Sequence, residues 1–321
     1  MCGTVFRLGR RLFVAVHAGL VLALLAALLG GMACKQEESS DRLTAVVTIF
    51  PLADFVENVA GDKVEVVTLL RSGDSPHTYE PSSRDMKAIS RATLLVVNGA
   101  GLDFWVEKLE SAASDNLVVV DTSVALAEEG LLLSGDEHED EGDDEDEHGH
   151  EGVNPHFWLD PVLAQKQVES IASALVAADP ANKDFYLENA ADYIAQLQSL
   201  DEEIRETTED FSSREFITFH ASWTYFANRY DLVEAAVIEE APGKEPSVAY
   251  IKDVVDLAKA LKVKAIFAEP QFSTQAAKAI ANDSGAEVLL LDPLGGPGLE
   301  GRDSYVALMR YNLQQMKQAM Q

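Results

Sequence analysis

The chain has 321 residues, 47% of them hydrophobic, enough for two ordinary α/β domains or one large one with a sizeable core. Its 25 Lys+Arg stand against 54 Asp+Glu, a formal charge of -29. Such acidity excludes nucleic acid and anionic membrane surfaces as natural partners, because their phosphates are repelled, and is compatible with cations.

The N-terminus reads as a targeting segment, not as part of the fold. Arg7, Arg10 and Arg11 precede an apolar run from Leu12 to Leu29, and small residues then lead into Cys34 in GGMAC. That is the layout of a secretory signal peptide. A cysteine directly after small residues at the cleavage point resembles a bacterial lipoprotein box, with Gly31 where Leu is usual. The apolar run is of marginal length for a membrane span. The expectation is a signal over residues 1–33, lipidation of Cys34 as the new N-terminus, and a flexible polar tether over 34–43. With Cys2 lost, the folded part keeps no thiol for a disulfide or a thiolate metal ligand.

Apolar β-rich runs then alternate with helical periods. Strands are expected at 45–50, 64–70, 93–98 and 117–121, with helical stretches at 54–60 and 83–91 between them. Nearly continuous apolar strands alternating with helices predict a parallel sheet covered on both faces. The run GDEHEDEGDDEDEHGHEG follows, with eleven carboxylates, no Lys or Arg, and His138, His148 and His150. It is too charged and too poor in apolar residues to pack, and reads as a disordered loop over 134–152.

Asp160-Pro161 and Asp179-Pro180 each pair an N-cap with a proline fitted to the first helical turn. The second opens a stretch with no breaker from Ala181 to Asp210 and an apolar stripe of Leu187, Ala190, Ile194, Leu197 and Ile204. At ~1.5 Å per residue that helix is on the order of 45 Å long. A second alternation places strands at 215–219, 232–238, 265–268 and 287–291, with helices at 247–261, 274–284 and 304–320. The simplest architecture is two α/β lobes, 44–178 and 211–321, joined by one long helix over 179–210.

Of seven histidines, His17 lies in the signal and three lie in the acidic run. His77 in SPHTYE, His156 in NPHFWLDP and His220 in FITFHASW remain, each at a strand end or a helix start. The loops at the carboxyl ends of parallel strands are where α/β sheets bind ligands. A single histidine is ordinarily structural. Three in such positions, with none elsewhere in the folded part, point to a metal. Three imidazoles suit zinc, copper, nickel or iron, and a carboxylate completes a tetrahedron. Asp292 in LLLDPLGG ends the last expected strand and is the leading candidate, with Glu269 in FAEPQF as its competitor.

The stretches PHTYEPSSRD, NGAGLDFWVEKL, NPHFWLDP, FHASWTYF, GKEPSV, FAEPQF and LDPLGG occur in an order that resembles the zinc/manganese substrate-binding lipoproteins of bacterial ABC transporters. The resemblance runs from about Thr44 to the C-terminus and extends to a His/acidic loop just before NPH. It implies a metal held between two lobes by His77, His156, His220 and Asp292, and a backbone helix that limits hinge bending. The manganese branch carries a carboxylate at the third position. His220 stands there in this chain, so three nitrogens and one oxygen favour Zn2+ over Mn2+. The resemblance further implies a lipid-anchored, monomeric, exported protein that captures Zn2+ and delivers it to a membrane permease with an ATPase subunit, with no catalytic step. Glu80, Glu245 and Glu269 are candidates to orient the imidazoles. His138, His148 and His150 form an auxiliary weak metal loop. Two other readings are compatible with the sequence: a surface adhesin or manganese-binding lipoprotein, and a three-histidine zinc hydrolase. The hydrolase would keep a metal position open for water and have a general base nearby, and the chain has no HExxH helix.

Overall fold

The computed structural model describes residues 42–135, 152–239 and 243–321. The signal, Cys34, most of the tether and the acidic run with His138, His148 and His150 lie outside the described residues. Four parallel strands, β1 (Leu43–Val47), β2 (Val64–Thr68), β3 (Leu94–Val97) and β4 (Val118–Asp121), form a sheet in the order β2-β1-β3-β4. Side chains of β1 and β3 alternate between two apolar clusters: Ala45, Val47, Leu94 and Val96 on one face, Val46, Leu95 and Val97 on the other. Both faces are covered, so these strands read as unbroken apolar runs. β2 and β4 are the edges, and Val118 and Val119 of β4 are exposed.

The second half repeats the style. β5 (Glu215–Thr218) pairs in parallel with β6 (Val233–Val237), β7 (Ala265–Ala268) pairs in parallel with β8 (Glu287–Leu290), and β5 packs beside β7. Helices α1 (Phe50–Ala60), α2 (Ser83–Ile89), α3 (Val124–Glu128), α4 (Pro161–Ala178) and α5 (Lys183–Glu209) belong to the first half and its exit. Helices α6 (Thr224–Arg229), α7 (Val248–Leu261), α8 (Gln275–Ser284) and α9 (Tyr305–Met320) complete the second.

The long helix is present as α5, 27 residues or about 40 Å. Pro180–Asn182 forms a 3-10 turn first, so the α-helix begins at Lys183. Its buried stripe is Tyr186, Ala190, Tyr193, Leu197, Leu200, Ile204 and Thr208. Leu187, expected on the stripe, is exposed. Tyr186 and Tyr193 take the inner face because each buries its ring and still bonds its hydroxyl, to Asp179 at 2.8 Å and to Asp54 at 2.5 Å. α5 packs on α1, α4 and α9. Through it, one apolar cluster joins β1 and β3 of the first half to Phe216, Phe267 and Tyr305 of the second. Leu43–Gln321 accordingly form one compact unit.

Two details differ from the sequence reading. The helix expected from Asp54 starts at Phe50, since Pro51 fits a first turn, and β1 correspondingly ends at Val47. The short α3 and α6 and a 3-10 stretch at Phe104–Ala112 carry too few turns to show a period. Asp160 caps α4 as expected, accepting from the Val162 amide at 2.8 Å. It also pairs with Arg229 at 3.2 Å, and Arg229 reaches Asp201 of α5 at 2.7 Å, tying three helices at one point.

The turn after β3 links the sheet to the segment before α4. Gly99, Ala100 and Gly101 all have positive φ, and Asp103 holds the turn by accepting from the Gly99 amide at 2.7 Å. Asn98 then donates to the Pro155 carbonyl at 2.9 Å. Burial raises the Asp103 carboxyl to about 6, above the ~3.9 of a free side chain. A carboxyl raised in this way contributes stability that is complete below its unfolded value and is lost as pH rises through its folded one. Between pH 4 and pH 8 the natural chain is therefore expected to lose about 2 kcal/mol relative to D103N in urea unfolding. Parallel pH curves for the two proteins would contradict this.

Candidate metal centre

His77 lies on a 3-10 turn, Pro76–Thr78, that follows β2, and the turn is fixed by Trp105, whose indole donates to the Pro76 carbonyl at 3.1 Å. His156 lies between the Asn98-anchored Pro155 and the Phe157–Leu159 turn that leads into α4. His220 follows β5, and Glu269 directly follows β7 beside it. Three stretches far apart in the chain thus deliver one imidazole each to the carboxyl ends of the strands.

The imidazoles meet through Nε2. His77 and His156 are 3.1 Å apart there, and His156 and His220 are 3.2 Å apart. His156 and His220 are buried and His77 is half-buried. Tetrahedral coordination at ~2.0–2.1 Å from nitrogen puts neighbouring nitrogens about 3.3 Å apart, so the observed spacing fits a single small cation. Protonation suits two of the three rings poorly. Burial, followed by the charge of His220, holds His77 down at about 3. Burial, followed by His220 and His77, holds His156 well below the usual histidine range. Burial also opposes charge on His220, but Glu269, with Glu234 and Glu239, raises His220 above the ordinary value.

Two partners turn the Nε2 atoms inward. His220 Nδ1 donates to Glu269 Oε1 at 2.7 Å, and His156 Nδ1 donates to Asn154 Oδ1 at 2.9 Å. In the neutral ring the proton then sits on Nδ1 and Nε2 keeps its lone pair for a metal. Asn154 is itself fixed, donating to the Ala221 carbonyl at 2.9 Å, one residue beyond His220. Phe272 covers the site, stacked on Phe219 at 4.7 Å and edge-on to His220 at 5.4 Å. The Trp158 indole donates to the Pro293 carbonyl at 2.8 Å and so closes the wall formed by Pro293 and Leu294. The cavity they enclose is about 10 Å³.

Asp292 is not brought to the imidazoles. Its Oδ1 accepts from the Leu294 and Gly295 amides at 3.1 and 3.0 Å and from Gln271 at 3.2 Å, and its Oδ2 pairs with Arg302 at 2.8 Å. Among the described residues, the group that could hold an ion is His77, His156 and His220. Glu269 does orient an imidazole. Glu80 does not: it lies at the surface, paired with Lys108 at 2.8 Å. Glu245 is exposed and outside the cluster. Asn154, Trp158, Gln271 and Arg302 went unread in the sequence. Asn154 and Trp158 sit in NPHFWLDP and Gln271 in FAEPQF, whereas Arg302 lies outside every motif.

Residues 45–319 match the sequence model of a family described as ZnuA, zinc-uptake complex component A, periplasmic. The chain is 35% identical over 290 residues to the high-affinity zinc uptake system protein ZnuA of Bacillus subtilis (strain 168), covering 88% of this chain and 89% of that one. It is 33% identical over 302 residues to the zinc-binding lipoprotein AdcA of Streptococcus pneumoniae (strain ATCC BAA-255 / R6), covering 93% of this chain and 60% of that relative's length. A crystal structure of ZnuA superposes with a TM-score of 0.77 at 33% identity, covering 87% of this chain and 99% of the other.

If Asn154 orients His156, N154A should weaken Zn2+ binding about 10–100-fold in competition with a chelating dye while the melting temperature of the metal-free chain changes little. Unchanged affinity would remove Asn154 from that role.

Proposed function

We propose a function from one premise: the chain belongs to the family of periplasmic zinc-uptake components. It captures Zn2+ outside the cytoplasmic membrane and hands it to an ABC permease driven by an ATPase subunit. The observation that carries this reading is the spacing of three imidazole nitrogens, at 3.1 and 3.2 Å, in a buried and covered site. Three nitrogens favour zinc over manganese, which prefers oxygen.

The fourth contact falls to the wall made by Glu269 and Gln271, through a water that donates to both. Glu269 Oε2 and Gln271 Oε1 are buried acceptors without a partner among the described residues, and both border the cavity. Asp292 would have to give up Arg302 and two backbone amides to reach the ion. A cavity of about 10 Å³ suits an ion or a water and is far below the roughly 300 Å³ of small-molecule sites. That supports a carrier rather than a hydrolase, which needs room for the bond it cleaves.

Residues 1–33 act as the export signal, Cys34 carries the lipid anchor, and a polar tether holds a monomeric metal-binding unit at the cell envelope. No helix among the described residues is long and apolar enough to cross a membrane. Residues 44–178 and 211–321 act as the two lobes about the helix over 179–210. The acidic run feeds zinc weakly to the mouth.

Calorimetric titration tests the assignment. The natural chain should bind one Zn2+ tightly, a deletion of residues 136–151 should keep that stoichiometry, and H220A should lose about 100-fold or more in affinity. D292N should stay within about tenfold of the natural chain. Loss of zinc binding in D292N comparable to H220A, with folding intact by thermal melting, would make Asp292 a ligand. Intact binding in H220A would overturn the site.

A further inference from the structure

A second cavity, of about 410 Å³, opens at the carboxyl end of β2, beside the metal site but separate from the histidines. Its size lies within the range of small-molecule sites. Phe50, Leu70, Leu294 and Pro297 supply apolar walls, and Arg71 and Arg84 supply charge. No Asp or Glu lines it, although acids outnumber bases 54 to 25 in the chain. Neither Arg71 nor Arg84 makes an ion pair among the described residues. Arg205, Arg229, Arg302 and Arg310 pair with carboxylates, and Arg91 and Arg214 donate to backbone carbonyls. Arg71 also borders a neighbouring groove containing Asp74 and Glu80, and pairs with neither.

Guanidinium forks bind carboxylate and phosphate oxygens with two parallel hydrogen bonds. Here two are left free at the rim of one apolar cavity. The chain's overall negative charge acts against an anion. Charges beyond about 8 Å are screened at physiological salt, however, and the charged side chains of the lining are both arginines, with Asp85 behind Arg84 held by Ser82 and Tyr79.

We propose that this cavity binds a small organic oxyanion, a carboxylate or phosphate monoester on a compact apolar body, with the headgroup between Arg71 and Arg84 and the body against Phe50, Leu70 and Leu294. The site stands apart from the zinc reading: it needs no metal and shares with the metal cavity only the Leu294 wall.

The test is calorimetric titration of the zinc-loaded full chain with phenyl phosphate and with benzoate, beside inorganic phosphate and benzyl alcohol. At least one of the two amphiphilic anions is expected to bind at sub-millimolar Kd, a free energy of roughly -4 to -6 kcal/mol. The tighter of them identifies the headgroup. Inorganic phosphate and benzyl alcohol should each bind about tenfold more weakly or not at all. R71Q/R84Q should lose about tenfold or more toward the anion, while keeping the melting temperature and zinc stoichiometry of the natural chain. If the double variant does not fold, R84Q alone should lose about threefold. Failure of both anions to saturate by about 10 mM would overturn the proposal. So would equal binding by the arginine variants, or inorganic phosphate binding as tightly as phenyl phosphate.

Discussion

The architecture depends on one constraint: three imidazole nitrogens held within 3.1–3.2 Å of their neighbours in a place water barely reaches. Lone pairs at that separation repel, and a proton on His77 or His156 must be carried in low dielectric beside two other imidazoles. A divalent cation resolves both conflicts. Everything around the triad keeps it from relaxing by other means. Glu269 and Asn154 fix two rings by their Nδ1 atoms, Trp105 holds the turn under His77, and Phe272 covers the site. The cost of gathering these groups falls on the fold.

The fold meets that cost with one continuous apolar cluster. β1, β3, α1, α4 and α5 of the first half share it with β5, β7 and α9 of the second. The site rests on residues buried within that cluster. Trp158, fully buried, reaches from the turn after His156 to Pro293, and Tyr305 of α9 donates to the Trp158 carbonyl at 2.6 Å. Such packing transmits small displacements stiffly. Movement needed to admit or release an ion is accordingly more easily absorbed by the loops at 71–80 and 269–274 than by bending α5. The acidic run leaves the body at a defined gate: Ser134 and Val153 form an antiparallel bridge, and the Gly135 amide donates to the Gly152 carbonyl at 2.8 Å. His156 follows that gate by four residues.

Much of this was legible in the residues. Strands buried on both faces are unbroken apolar runs, and Asp-Pro pairs mark helix starts. The histidines outside the acidic run and the signal are the triad itself. What was not legible depends on which partner each polar side chain finds, which no period encodes. Leu187 and Tyr186 both fit the period of α5, and only the acceptor at Asp179 decides which turns inward. Asp292 occupies a strand end, where a ligand would stand, yet Leu294, Gly295, Gln271 and Arg302 already satisfy its oxygens. The amides belong to a turn that Pro293 and Gly295 announce. Arg302 lies ten residues on, and no periodicity reveals the pair. Glu80 shows the converse, a carboxylate three residues from His77 that turns outward to Lys108.

X-ray absorption at the zinc edge, on the chain loaded with one equivalent of Zn2+, tests the central claim most directly. The account predicts four nitrogen or oxygen neighbours at about 2.0 Å, with imidazole multiple scattering that fits three rings and no sulfur. A fit requiring two rings or fewer, or an oxygen-dominated six-coordinate ion, would contradict it.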